Sequence, residues 1–264
     1  MGNLFPILAL AILSAMLMMT FVYLLGRRMN NYGIVDIAWS WGFSFLVVLY
    51  AIAADGLPLR DELLSACVVL WSGRLGWHLY RRVMGHHPEE DGRYRQLREE
   101  WGNRTDRLMF GFYQLQAAIL VLLSVPYLII ASNPAPEIQA LEWIGAVTVI
   151  LAVLGEGIAD AQLNRFKLNP ENRGKTCRNG LWGYSRHPNY FFEWLVWMGV
   201  FVMAMASPLG WLAAISPLLI LFFLLKKTGI PATEEQALRT KGDDYREYQR
   251  TTSAFIPWFR KDLP

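Results

Sequence analysis

The sequence predicts an all-α, multi-pass integral membrane protein with seven transmembrane helices, its N-terminus outside and its C-terminus in the cytoplasm. Three observations carry that expectation. The 264-residue chain is 54% hydrophobic, with 11 Trp and 11 Tyr, which is too apolar and too aromatic for an ordinary soluble domain. Apolar runs near the length of a bilayer-spanning helix recur, roughly at 4–25, 33–53, 62–80, 112–131, 141–161, 188–206 and 208–225. The connections between them alternate in charge. Of 25 Lys and Arg, only Arg60 falls on the second side, and Arg74 falls inside a run. Basic connections stay in the cytoplasm, which sets the orientation.

The first run follows Met-Gly-Asn-Leu-Phe-Pro, with no basic residues ahead of it, so it reads as an uncleaved span and not a signal peptide. Pro6 stands where a myristoylation signal needs Ser or Thr. Arg27 and Arg28 close the run. The second opens on Asn31-Tyr-Gly-Ile-Val-Asp36 and leads to Asp55, Arg60, Asp61 and Glu62. The third carries Cys67, Trp71, Arg74 and His78, and a strongly basic connection follows, from Arg81 to Arg107. Within it, Tyr94, Leu97 and Trp101 at helical spacing predict a short helix over 90–107, lying on the membrane surface. His86 and His87, before Pro88, read as surface residues. The fourth run ends in a connection with Glu137 and no cation.

The fifth run carries Glu156 and Asp160 and continues through Asn164 and Lys167. Offsets of four, eight and eleven put these on one helix face. Arg165 to Arg186 then supply a basic connection. The sixth run starts at Pro188, which suits the first turn of a helix because its missing N–H costs nothing there. The seventh ends at Lys226 and Lys227, and a second surface helix is expected over 233–249. No repeat or linker divides the chain, so one domain over 1–264 is expected. Cys67 and Cys177 make no disulfide framework, no His/Cys cluster has zinc spacing, and no metal is expected. There is no Gly-x-Gly-x-x-Gly and no P-loop lysine.

Ionisable groups inside spans are costly and mark function by default. The densest polar stretch is Gly180-Leu-Trp-Gly-Tyr-Ser-Arg-His-Pro-Asn-Tyr-Phe-Phe-Glu193, at the mouth of the sixth run. Asn189 and Glu193 are four apart and share a face, and Arg186 and His187 lie at the positive end of that helix, where an anion is welcome. With the stripe on the fifth run, this implies a cavity open to the cytoplasm, acidic and amide-bearing below and cationic at its mouth. An elongated ligand with phosphates at the rim and a hydrogen-bonding head deeper in suits that gradient, and a nicotinamide dinucleotide has this shape.

The arrangement Asp160…Lys167-Leu-Asn-Pro170…Gly180-Leu-Trp…Arg186-His-Pro-Asn-Tyr…Glu193 resembles the membrane steroid 5α-reductase family. Trp71-Ser-Gly-Arg-Leu-Gly-Trp-His-Leu and Arg93-Tyr-Arg-Gln-Leu-Arg-Glu-Glu-Trp are similar to its bacterial seven-helix branch, once described only as a domain of unknown function. The resemblance covers nearly the whole chain and implies a monomer in a bacterial inner membrane, among membrane lipids and with no nucleic-acid partner. It implies NADPH as cofactor and hydride transfer to the β-carbon of an enone, such as the Δ4 double bond of a 3-oxo-steroid or a sterol-like substrate. In the animal enzymes a Gln-Glu pair on the second span and a Tyr on the third polarise the ketone. The resemblance places Asp36 near that Glu and Trp71 near that Tyr, with Tyr32 an alternative donor, a departure from the animal pattern. Asp36 could donate only if protonated. On the cofactor side it gives Asn189 and Glu193 to the nicotinamide and Asp160, Tyr184 and His187 to the middle, with Asn164 and Tyr190 in the same wall. Lys167, Arg173, Arg178 and Arg186 are given to the phosphates, and Glu235, Tyr245 and Tyr248 close from the tail. The wider superfamily also holds methyltransferases using S-adenosylmethionine, so a lipid or isoprenylcysteine-type methyltransferase stays open. So does a non-catalytic lipid-binding membrane protein.

Overall fold

The structure, a computed structural model, describes residues 4–227 and 229–261. Among them it is all-helical, with one isolated parallel β-bridge between Ser185 and Ser253. Ten α-helices follow in order: α1 (Leu4–Met29), α2 (Ile34–Ala53), α3 (Pro58–Gly85), α4 (Gly92–Trp101), α5 (Thr105–Ala131), α6 (Ala140–Leu168), α7 (Pro188–Ala204), α8 (Ile215–Phe222), α9 (Ile230–Lys241) and α10 (Asp243–Thr251). The chain forms two compact units: Met1–Trp143 with Met203–Ala213, and Ile144–Val202 with Ala214–Pro264.

Among the described residues five stretches are long and apolar enough to cross a membrane: Leu4–Met29, Ile34–Ala53, Gly92–Ala131, Ala140–Leu168 and Gly210–Lys241. They account for five of the seven expected runs. The other two form helices that miss this measure for different reasons. α3 carries Arg60, Asp61, Glu62 and Arg74 along its length, and α7 is 17 residues long. In the last stretch the apolar part is α8 with the π-helical turn Phe223–Lys227. α9 follows Gly229 and is a separate, charged helix.

In the first unit α2 packs on α3 and α5, and α1 on α5 and α2. The buried positions of α1 are Ile7, Ala11, Ala15, Met19, Val22, Tyr23 and Gly26, a stripe at three- and four-residue steps. Leu10, Leu13, Leu17, Phe21 and Leu24 face outward, as lipid contact requires. Inside, Phe43 meets the rings of Trp71 and Tyr127 at 5.2 and 6.3 Å, and the Tyr50 hydroxyl pairs with Ser124 at 2.9 Å. α3 passes close to α2 because Gly76 has no side chain: a Cβ there would come within 2.1 Å of the Trp41 indole.

Arg60, expected as a loop charge, is fully buried with Glu142. Its Nε bonds that carboxylate, and it also donates to the Asn133 carbonyl at 3.0 Å and the Glu137 carbonyl at 2.8 Å. Every donor direction used here ends on an acceptor, which is what makes a buried guanidinium tolerable. Of the helix expected over 90–107, the part Gly92–Trp101 forms α4, capped by the Asp91 side chain on the Arg93 N–H at 3.0 Å, and Thr105 already begins α5. In the second unit the helix expected over 233–249 is two helices, α9 and α10, because Gly242 turns between them with φ +56°.

Candidate functional site

Two cavities in the second unit, of about 360 and 480 Å³, meet at Leu163, Lys167, Cys177 and Lys241. They differ in chemistry. The first takes His187, Asn189 and Tyr190 from the start of α7, Thr233, Gln236 and Thr240 from α9, and Tyr245 from α10. The second is bordered by the turn after α6, with Arg173 and Lys175. Arg173 and Lys175 therefore lie at one end and Lys167 and Lys241 at the junction, and among the described residues none of the four has a carboxylate within ion-pair distance. Burial, and then the neighbouring Lys167, push the Lys241 ammonium below its usual range. Like charges gathered in a concave wall favour an anion.

The walls are held by a hub on α9. The Glu234 carboxylate accepts from Arg186 Nε at 2.7 Å, His187 Nε2 at 3.2 Å and Gln249 Nε2 at 2.8 Å. Burial alone would raise this carboxyl. The bonds from His187, Arg186 and Gln249, with the Arg186 charge, overcome that and hold it at about 2. Arg186 is further used by the carbonyls of Gln249 and Thr252, at 3.0 and 2.6 Å. His187 is 3% exposed and stacks on Tyr190 at 5.3 Å, whose hydroxyl pairs with Thr233 at 3.0 Å. The Asn189 amide lines the first cavity and has no hydrogen-bond partner among the described residues. Tyr248 is buried, its hydroxyl against the carbonyls of Trp182 and Ser185. Burial raises the Tyr245 and Tyr248 phenols, so both stay neutral donors.

Of the residues the sequence put at this site, Lys167, Arg173, His187, Asn189, Tyr190, Tyr245 and Tyr248 line the two cavities, and Arg186 lines the first from its clamp. Arg178 is paired with Asp244 at 2.9 Å and reaches Glu247 at 3.4 Å, so its charge is balanced within the fold, as is that of Arg186. The anion at the start of α7 is thus Glu234, the chain's own. Tyr184 turns to Phe259, with ring centroids 6.3 Å apart. Glu235 pairs with Arg239 at 2.5 Å on the exposed side of α9. Asp160 and Asn164 lie on α6 beside Lys167, and Glu193 accepts from the Trp197 indole at 3.0 Å. Glu234 and Lys241 were missed. The signal was Ile230: positions 230, 234, 237 and 241 share a helix face, and burial of Ile230 turns that face inward.

Asp36, Trp71 and Tyr32 belong to the first unit. Asp36 accepts from Arg93 at 2.6 Å, Tyr94 at 2.7 Å and Arg82 at 3.2 Å. Three donors on one carboxylate make it an acceptor. Tyr32 is 1% exposed; its hydroxyl donates to Asp106 at 3.0 Å and its N–H to Glu90 at 2.6 Å. Trp71 is fully buried against Phe43.

The chain is 26% identical over 209 residues to an uncharacterized protein of Schizosaccharomyces pombe, C594.04c, a match covering 69% of this chain and 61% of the yeast protein. It thus spans about three-fifths of the length of the curated relative it matches. No solved structure matches it. The family model described as "Protein of unknown function (DUF1295)" matches residues 22–252, so this helical membrane protein belongs to the DUF1295 family.

Proposed function

We propose that this protein is an NADPH-dependent membrane reductase acting on an enone, with the Δ4 double bond of a 3-oxo-steroid or a sterol-like compound as its substrate class. The observation that carries the reading is the polarity of the joined cavities: an aromatic end with the Asn189 amide, Lys167 and Lys241 at the junction, and Arg173 and Lys175 at the far end. A compact sulfonium ligand, as in a methyltransferase, has no use for so many positive charges, whereas a 2′-phosphorylated dinucleotide does. The family's place in the steroid 5α-reductase-like grouping supports the same reading.

The donor set fits such a cofactor. Asn189 offers an amide to the carboxamide of the nicotinamide, and Tyr190 and His187 offer a flat wall. Lys167, Arg173, Lys175 and Lys241 would balance the phosphates. When bound, the reduced nicotinamide supplies a hydride for the β-carbon of the enone, leaving an enolate that needs a donor at its oxygen. Glu234 contributes indirectly, by fixing Arg186 and His187 in the cavity wall. The seven-span arrangement, with the N-terminus outside and the site open to the cytoplasm of a bacterial inner membrane, completes the proposal.

The test is the melting temperature of the detergent-purified protein with NADPH, NADH or S-adenosylmethionine. A ligand that binds only the folded state raises it according to affinity. A rise with NADPH, followed by its oxidation when a testosterone-like enone is added, is the expected result. A rise with S-adenosylmethionine alone overturns the reading.

A further inference from the structure

The segment after α10 leaves large apolar side chains in the open while its backbone is held in place. Ile256, Trp258 and Phe259 are 59%, 65% and 75% exposed. Yet the Trp258 N–H donates to the Tyr184 carbonyl at 2.9 Å, the Lys261 N–H to the Thr251 carbonyl at 2.9 Å, and the Ser185 hydroxyl to the Phe255 carbonyl at 2.8 Å. Phe255 is buried against Phe191 and Trp194, each 5.8 Å away. These aromatics are therefore presented by a fixed strap. Against the strap lies a third cavity, of about 300 Å³, lined by Arg250 and Lys261 on its cationic side and by Trp258 and Phe259 on its aromatic side. Among the described residues neither Arg250 nor Lys261 has a carboxylate within ion-pair distance. Arg186, also in its wall, is already used by Glu234.

We propose that this strap is a binding site for the headgroup of an anionic phospholipid. The phosphate would lie against Arg250 and Lys261, with Trp258 and Phe259 beside the glycerol and upper acyl chains. The placement agrees, because the strap is bonded to Tyr184, four residues before the apolar helix α7 begins at Pro188. Trp and Phe beside Arg and Lys are the residues that settle at a bilayer surface, and cations there attract acidic lipids. A lipid held here needs no cofactor in the cavities formed by α6, α7 and α9.

The experiment uses the full chain in detergent, titrated separately with phosphatidylglycerol, phosphatidylcholine and inorganic phosphate, with bound lipid counted by native mass spectrometry. The R250Q/K261Q variant is expected to lose one retained phosphatidylglycerol, binding it roughly thirtyfold more weakly, since each cation near an anionic surface contributes about fivefold. Its melting temperature should match the parent, because neither side chain has a hydrogen bond or ion pair among the described residues. W258S should weaken the same lipid without altering the others. The proposal is overturned by equal retention in R250Q/K261Q, by phosphatidylcholine binding as well as phosphatidylglycerol, or by inorganic phosphate displacing the lipid at comparable concentration.

Discussion

The Arg186 guanidinium donates to the Glu234 carboxylate across 2.7 Å, and the two side chains are only 11% and 14% exposed. Removing either charge leaves the other buried without its counterpart, which costs about 3 kcal/mol or more in comparable pairs. Glu234→Gln is therefore expected to lower the melting temperature by several degrees. The pH profile separates this from a generic packing defect. The folded carboxyl is held at about 2, below the value of 4.5 it has when unperturbed. A depressed carboxylate stabilises the fold fully above pH 4.5, and that stability drains away as pH falls toward 2. The parent should lose stability through that window and Glu234→Gln should not, as read by melting temperature against pH.

Gly180 has φ +60°, and a Cβ there would come within 2.3 Å of the Gln162 amide. That amide can swing aside, but its oxygen then abandons the Leu181 N–H it accepts at 2.9 Å. Gly180→Ala is expected to cost about 1–3 kcal/mol from the left-handed backbone and the broken bond together. Adding Gln162→Ala removes the clash and leaves the backbone strain. The double variant should therefore be no more stable than Gln162→Ala alone, and melting temperatures of the three proteins decide it.

How much of this was legible beforehand follows from what each signal encodes. Hydropathy located helices at all seven expected runs, since an apolar run of that length has little else to become. Arg186, His187, Asn189 and Tyr190 line one cavity around Pro188, where α7 starts, whereas Tyr184 and Glu193 from the same stretch do not line it. Sequence did not show which cations are spent inside the fold. Arg178 and Arg186 look like Lys167 on paper, but Asp244 and Glu234 neutralise them, and those carboxylates arrive from helices far along the chain. The choice of Glu235 over Glu234 failed for a simpler reason. Adjacent residues on a helix face different ways, and only the buried Ile230 says which faces in.

The difference between spent and unspent cations gives a paired prediction. Lys167→Gln and Lys241→Gln should each weaken NADPH about tenfold or more, the usual worth of a charge-assisted bond to phosphate. Neither should destabilise the empty protein, and Lys241→Gln should remove an ammonium that burial, and then Lys167, disfavour. Arg178→Gln should do the reverse, lowering the melting temperature through Asp244 while changing NADPH affinity little. Calorimetric titration beside thermal melts reads both columns.

Arg60 and Glu142 test whether a buried ion pair in the first unit is self-sufficient. Arg60→Met alone should cost about 3–5 kcal/mol, because it strands a fully buried carboxylate. Arg60→Met with Glu142→Met removes both charges, and much of the loss should return. Recovery should stay incomplete. The carbonyls of Asn133 and Glu137 lose their donor and the Gln139 N–H loses its acceptor. Full recovery in a chemical-denaturation series would mean those three groups find other partners.

Asp36 offers the sharpest choice between a structural and a chemical role. Its carboxylate binds Arg93 and Tyr94 of α4 and Arg82 of α3, so it ties the surface helix to the first turn of α2. Asp36→Asn keeps the shape but supplies one acceptor oxygen to three donors. If the tie is its work, α4 should loosen, with proteolysis over 86–107 several-fold faster and turnover reduced in proportion. Arg93→Gln, which touches the same tie from the other side, should then behave alike. If instead Asp36 delivers a proton to substrate, Asp36→Asn should abolish turnover while 86–107 stays protected and Arg93→Gln remains active. Limited proteolysis run beside NADPH oxidation separates the two, and the three donors already on this carboxylate favour the first outcome.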